Sequence, residues 1–160
     1  SICFGIEDTF YTKKQIRQRL NIPVLGLWYQ LDNHHDGEEE LQTSLAVQSV
    51  MNQDVIFVDI INGNYAEQFY EQYTSIFSSK ENGSLQTISY PIIRQEEYDK
   101  LENANVILVI PFGVPCANQA EDIVCELQRR NCHIAGAVLT NCNYKWVKAY
   151  YNKFSTVRGK

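Results

Sequence analysis

Several places in this 160-residue chain hold residue types that can do chemistry, and each is judged by the spacing that chemistry demands. Phosphate binding in an alternating strand-and-helix chain belongs to the turn after a central strand, where the next helix offers unpaired N–H groups and the positive end of its dipole. That turn is Ile60-Ile61-Asn62-Gly63-Asn64-Tyr65. A working loop, GxxxxGK[ST], uses glycines so that backbone amides wrap the phosphates, a lysine to neutralise them, and a Ser or Thr for magnesium. Only Gly63 can fill a glycine position, and the next lysine, Lys80, lies beyond the expected helix. Asn62, Gly63, Asn64 and Tyr65 therefore read as a plain strand-to-helix turn.

The other candidates meet similar objections. His34, His35 and Asp36, followed by Glu38, Glu39 and Glu40, are metal-ligand types, but they lack an ordered spacing such as HxxxH. They read as a solvated loop and an acidic first helical turn, and no metal is assigned. Cys116 follows Pro115 near a helix N-terminus that would lower a thiol pKa, yet no His stands close in sequence to pair with it. Cys125, Cys132 and Cys142 lie beside apolar positions and are expected to be buried and inert. Asp59 sits inside an apolar strand. A receiver-like phosphoacceptor would also need acids at the end of an earlier strand and a late lysine, which Val24–Trp28 and His133–Thr140 do not supply, so a local hydrogen bond is expected for Asp59. Tyr144, Tyr150 and Tyr151 are candidate phosphorylation sites near the C-terminus. Tyr151 is in helical register with Val147 and Phe154, which fits packing equally well. No catalytic residue and no cofactor are assigned.

The elements that position these residues follow from periodicity. Thr12 and Gln15 form a capping box, so a helix is expected from Lys13 to Leu20, ended by Asn21-Ile22-Pro23. Strands are expected at Val24–Trp28, Asp54–Ile61, Leu85–Tyr90, Asn105–Pro111 and His133–Thr140, the longer ones near-continuous apolar runs of the kind covered on both faces. Helices are expected at Glu38–Met51, Tyr65–Phe77, Gln95–Glu102 and Ala117–Asn131. A last stripe is formed by Tyr144, Val147, Tyr151 and Phe154. This alternation predicts a three-layer α/β fold with a mostly parallel sheet of about five strands flanked by helices.

Composition narrows the function classes. With 14 Lys+Arg against 19 Asp+Glu, a formal net charge of −5 and no basic stripe, the chain is not a general nucleic-acid binder. No stretch approaches the roughly 20 apolar residues that cross a bilayer, so the chain itself is expected to be soluble. Five widely spaced cysteines without a CxxC pair do not make a disulfide framework and suit a reducing cytoplasm. The chain opens on Ser-Ile-Cys-Phe-Gly-Ile, without an initiator Met or the basic flank of a signal peptide, and is expected to be an excised piece of something longer.

Three sets of residues together resemble one family. The run from Tyr11 to Gly26, with its Asn21-Ile22-Pro23-Val24-Leu25-Gly26, is similar to the juxtamembrane segment of polysaccharide co-polymerases (chain-length determinant proteins) and the bacterial tyrosine kinases linked to them. Glu40-Leu41-Gln42-Thr43-Ser44-Leu45 resembles the family's R-x-L-R-T-N-L helix. Leu101–Ile110, the helix to Asn131 and His133–Asn141 resemble the kinase's late region. The resemblance implies a P-loop NTPase-like fold, with residues 1–12 as a juxtamembrane segment and residues 13–160 as a single α/β domain. It also makes Asn62, Gly63, Asn64 and Tyr65 a degenerate phosphate-loop position.

Departures from the family pattern decide what function is expected. The stretch Val55–Tyr65 has no GK[ST], Leu85–Tyr90 has no carboxylate where the second Walker motif belongs, and the Walker B strand is collapsed into Tyr90–Leu101. Phosphoryl transfer has then lost the groups that stabilise its charge. The self-association motif E-x-x-R-x-x-R falls at Asp36, Glu39 and Gln42, without either arginine. The resemblance thus implies a non-catalytic regulatory or scaffold domain in capsular or exopolysaccharide chain-length control. It would stand at the cytoplasmic face of a bacterial membrane through an upstream helix, with the polysaccharide assembly machinery and a separate tyrosine kinase as partners. The alternatives are a nucleotide-binding, tyrosine-kinase-like enzyme with an atypical site at Asn62-Gly63-Asn64, or an unrelated flavodoxin-like or receiver-like module. The last would place Val24–Trp28 at the centre of the sheet.

Overall fold

The computed structural model describes residues 8–30, 37–51, 54–76, 86–92 and 94–149, in which helices and strands alternate. Helix α1 (Lys13–Leu20) leads into strand β1 (Val24–Tyr29), followed by α2 (Glu38–Val50), β2 (Val55–Asp59), α3 (Tyr65–Ile76), β3 (Thr87–Ser89), α4 (Gln95–Glu102), β4 (Asn105–Pro111), α5 (Ala117–Arg129) and β5 (His133–Cys142). A last helix, α6, covers 144–149. The strands form one five-stranded sheet in the order β1-β5-β4-β2-β3, and every pairing is parallel. This is the three-layer α/β architecture that the alternation predicts.

Local chemistry explains the element ends. The Gln15 N–H donates to Thr12 Oγ1 (3.1 Å) while Gln15 Oε1 accepts from the Thr12 N–H (3.2 Å), closing the capping box and starting α1. Asn21 ends it in a left-handed conformation (φ 54°), which an Asn adopts more readily than most residues. The apolar run expected from Asp54 to Ile61 is a ladder only over Val55–Asp59, because the chain turns after Asp59. Ile60 nonetheless stays fully buried beyond the strand end.

Strand alternation sorts the core into two layers. Ile56 and Val58 of β2 and Val106, Leu108 and Ile110 of β4 face α1, α4 and α5, where they meet Ile16, Leu101 and Ile123. Phe57, Ile107 and Val109 face the other side, against Val47 of α2 and Ala66, Phe69 and Tyr73 of α3. Burial of each such side chain is worth about 1.5–3 kcal/mol. The layer assignment is what right-handed crossovers require: the chain moves one way from β2 to β3 and the opposite way from β4 to β5, so α3 and α5 lie on opposite faces. Edge strand β1 is pressed against α2 at Gly26, where an added Cβ would lie 2.0 Å from Thr43 Oγ1. That hydroxyl donates to the Leu27 and Glu39 carbonyls (2.8 Å each) and has no freedom to move away. Gly26→Ala is therefore expected to destabilise the domain by about 2–3 kcal/mol in urea titration; an unchanged midpoint would refute this close approach.

Candidate functional site

The connections leaving β2 and β4 run to opposite sides of the sheet, so the topological switch point lies at the carboxyl ends of these two parallel strands. Open α/β sheets bind ligands there. One rim is the turn from Ile60 to Tyr65 that starts α3; the other is the turn from Phe112 to Cys116 that starts α5. Neither turn contains Lys or Arg.

At the first rim the sequence-predicted residues are Asn62, Gly63 and Asn64, all exposed, and half-buried Tyr65. Asn64 has positive φ (55°). Gly63 lies so close beneath the Tyr65 ring that a Cβ would come within 2.4 Å of Tyr65 Cε2, so the turn is closed over by its own aromatic residue. Two amides at the start of α3 are already used. Ala66 N–H donates to Asp59 Oδ1 at 2.9 Å, and the Tyr65 amide also bonds to this carboxyl. Asp59 is only 4% exposed. Burial pushes its carboxyl above the ordinary value, the two amides pull it back, and Glu67 adds a smaller upward push; burial wins. The local hydrogen bond expected for Asp59 is thus to the helix that follows it.

The second rim is filled in the same way by a residue that the sequence reading passed over. Asp8 Oδ1 accepts from the Asn118 N–H (2.8 Å), and the Asp8 carbonyl accepts from the Cys116 and Ala117 amides (2.8 and 3.0 Å). Thr9 bridges to Pro115, Phe10 is buried, and the Gly113 N–H donates to the Phe10 carbonyl (3.1 Å). Residues 8–11 thus form a strap across the end of β4. Tyr11 then stacks on Trp146 of α6 (4.9 Å between ring centroids) and meets Phe112 edge-on (5.4 Å). Cys116, at the N-cap of α5, is no activated thiol: burial, with Asp8 adding to it, pushes it up to about 12.

No protein-family model, curated protein or solved structure matches this chain. Its site has to be read from its own geometry.

That geometry separates the remaining candidates. Tyr144 is half-buried at the start of α6, edge-on to Tyr29 (5.4 Å) and 5.9 Å from the Lys148 ammonium. Tyr150, Tyr151, His34, His35 and Asp36 lie outside the described residues. Among the described residues no three His, Cys, Asp or Glu side chains gather to hold a metal ion. Cys132 and Cys142 are buried as expected, but Cys125 is exposed. The correction follows from α5, whose buried stripe is Ala117, Ala120, Ile123, Val124 and Leu127, leaving position 125 on the outer side. A second concavity, about 440 Å³, lies between α5 and the β3–α4 connection, away from any position singled out by motif.

The filled α3 N-terminus has a measurable consequence. Asp59→Ala removes the acceptor for a buried amide and is expected to cost about 1–2 kcal/mol at pH 7, whereas Asp59→Asn keeps an acceptor oxygen and costs less. Because the folded-state carboxyl sits above the ordinary 3.8, native Asp59 binds its proton more tightly than the unfolded chain does. Wild type should therefore gain stability relative to Asp59→Asn as pH falls through the raised value towards 3.8. A difference in urea midpoints that does not change with pH would contradict the assignment.

Proposed function

We propose that this chain is a non-catalytic binding and scaffold module, an α/β domain whose nucleotide-type crevice is closed from within and which acts through protein contacts. The observation that carries this reading is the pair of occupied helix N-termini: Asp59 on α3 and Asp8 on α5. A phosphate at either turn would have to displace a carboxylate from the amides and dipole that would otherwise bind it, with no lysine or arginine in either turn to compensate.

The biological setting we propose follows the resemblance: a regulatory or scaffold domain in polysaccharide chain-length control, at the cytoplasmic face of a membrane. Its partners would be the polymer-assembly machinery and a separate tyrosine kinase. Support comes from the position of the similar segments in the fold. The Asn21–Gly26 run leads from α1 into β1, Glu40–Leu45 lies in α2, and Leu101–Ile110 and His133–Asn141 supply β4 and β5. The edge position of β1 weighs against a flavodoxin-like order, in which the first strand is interior. No helix among the described residues is long and apolar enough to cross a membrane.

Isothermal calorimetry with magnesium-ATP tests the closed crevice. We expect no saturable heat up to about 1 mM nucleotide, a level at which even a 4 kcal/mol interaction would register. Saturable binding abolished by a bulky substitution such as Gly63→Leu would replace this reading with that of an atypical nucleotide enzyme.

A further inference from the structure

The concavity between α5 and the β3–α4 connection has the size of a small ligand site, about 440 Å³. One wall is Tyr90, Ile92 and Tyr98; the other carries Asp122, Cys125, Glu126 and Arg129 of α5. It opens one strand away from the switch point, where the Tyr90 N–H donates to the Asp59 carbonyl (3.1 Å). Its two carboxylates differ. Glu126 is ion-paired with both Arg129 and Arg130, so its charge is balanced. The exposed Asp122 side chain makes no hydrogen bond or ion pair among the described residues.

The aromatic wall already serves as a platform for a cation. Arg130, which does not line the concavity, holds its guanidinium 3.7 Å from the centroid of the Tyr98 ring. Helix α4, which supplies Tyr98, also carries Glu96, Glu97, Asp99 and Glu102 against a single Lys100. A free carboxylate beside tyrosine rings and Ile92, next to an acidic helix and with Arg129 already paired to Glu126, complements a positive charge on an aliphatic stem. The same carboxylates repel nucleic acid and anionic lipid, and a basic side chain of a protein is the occupant that agrees with the reading of this chain as a protein-contact module.

We propose that this groove docks a basic side chain, arginine before lysine, of a polypeptide partner, with its charge on Asp122 and its stem along Tyr90, Ile92 and Tyr98. The proposal rests on the reading of the chain as a protein-contact module and names one surface for it. Nucleotide binding at the switch point would not alter the outcome below, so the two proposals fail separately.

The test uses the full chain and three capped pentapeptides with leucine and proline beside a central arginine, norleucine or glutamate. Binding is read from amide resonances of the labelled protein and from protection of Cys125 against alkylation, mapped by mass spectrometry. The arginine peptide should saturate, shift the groove residues, shield Cys125 and bind about fivefold or more tighter than the norleucine peptide, with glutamate weakest. Asp122→Asn should reduce arginine binding to the norleucine level without changing the circular dichroism spectrum, while Glu71→Gln on α3 should leave it intact. Equal affinity for arginine and norleucine, no saturation at the groove by about 10 mM peptide, or an inert Asp122→Asn would each overturn the proposal.

Discussion

Helices that follow parallel strands begin with unpaired N–H groups and the positive end of their dipole at the carboxyl edge of the sheet, and the order β1-β5-β4-β2-β3 brings two such N-termini to one switch point. Those donors need acceptors. Many α/β folds meet the need with a ligand; this chain meets it with Asp59 for α3 and Asp8 for α5. Much else depends on that choice. For Asp8 to reach Asn118, residues 8–11 must cross the end of β4, which buries Phe10 and sets Tyr11 against Phe112 and Trp146.

The Glu126 and Asp59 carboxyls illustrate opposite balances. Glu126 stands at the surface between two arginines, and its carboxyl is lowered, with the Arg130 hydrogen bond as the main cause. Among the described residues Asp59 has no cationic partner; two backbone amides and a helix end stabilise its charge, and burial still outweighs them. Its contribution is therefore positional more than electrostatic. It fixes where α3 begins, and through α3 where Ala66, Phe69 and Tyr73 meet the sheet. A carboxylate in this position is also the group least compatible with an incoming phosphate, because it already occupies the acceptor position and carries the same sign of charge.

What could be read from the sequence was whatever is decided by near neighbours. The α1 capping box joins residues three apart, the β4 run is continuous, and the Asp59 hydrogen bond joins residues only seven apart. Each leaves a local pattern. Asp8 and Asn118 are separated by 110 positions, and nothing around Asp8 distinguishes it from an ordinary acidic residue near a chain end. The same holds for Tyr11 and Trp146, whose aromatic character reads as generic core until the fold brings them together. Cys125 shows the limit from the other side: apolar neighbours in sequence suggested burial, but the helical period turned it outward. The groove was invisible for a related reason, since its walls come from α4, α5 and a connection whose geometry no motif encodes.

Closing a crevice from within also changes where a partner can act. At an open switch point, ligand binding energy would go into ordering the turns around the two helix ends; here those turns are ordered by covalently attached acceptors before any partner arrives. Asp8 is the more exchangeable of the two, because its cap lies on exposed backbone joined to the fold by the strap, whereas Asp59 lies within a central strand. A partner that pulled on the strap would simultaneously unsatisfy Cys116, Ala117 and Asn118 and unstack Tyr11 from Trp146. These losses fall together because one segment carries all the contacts, so the second rim would open as a unit or not at all, while the first rim, held by Asp59 from inside the sheet, would remain closed.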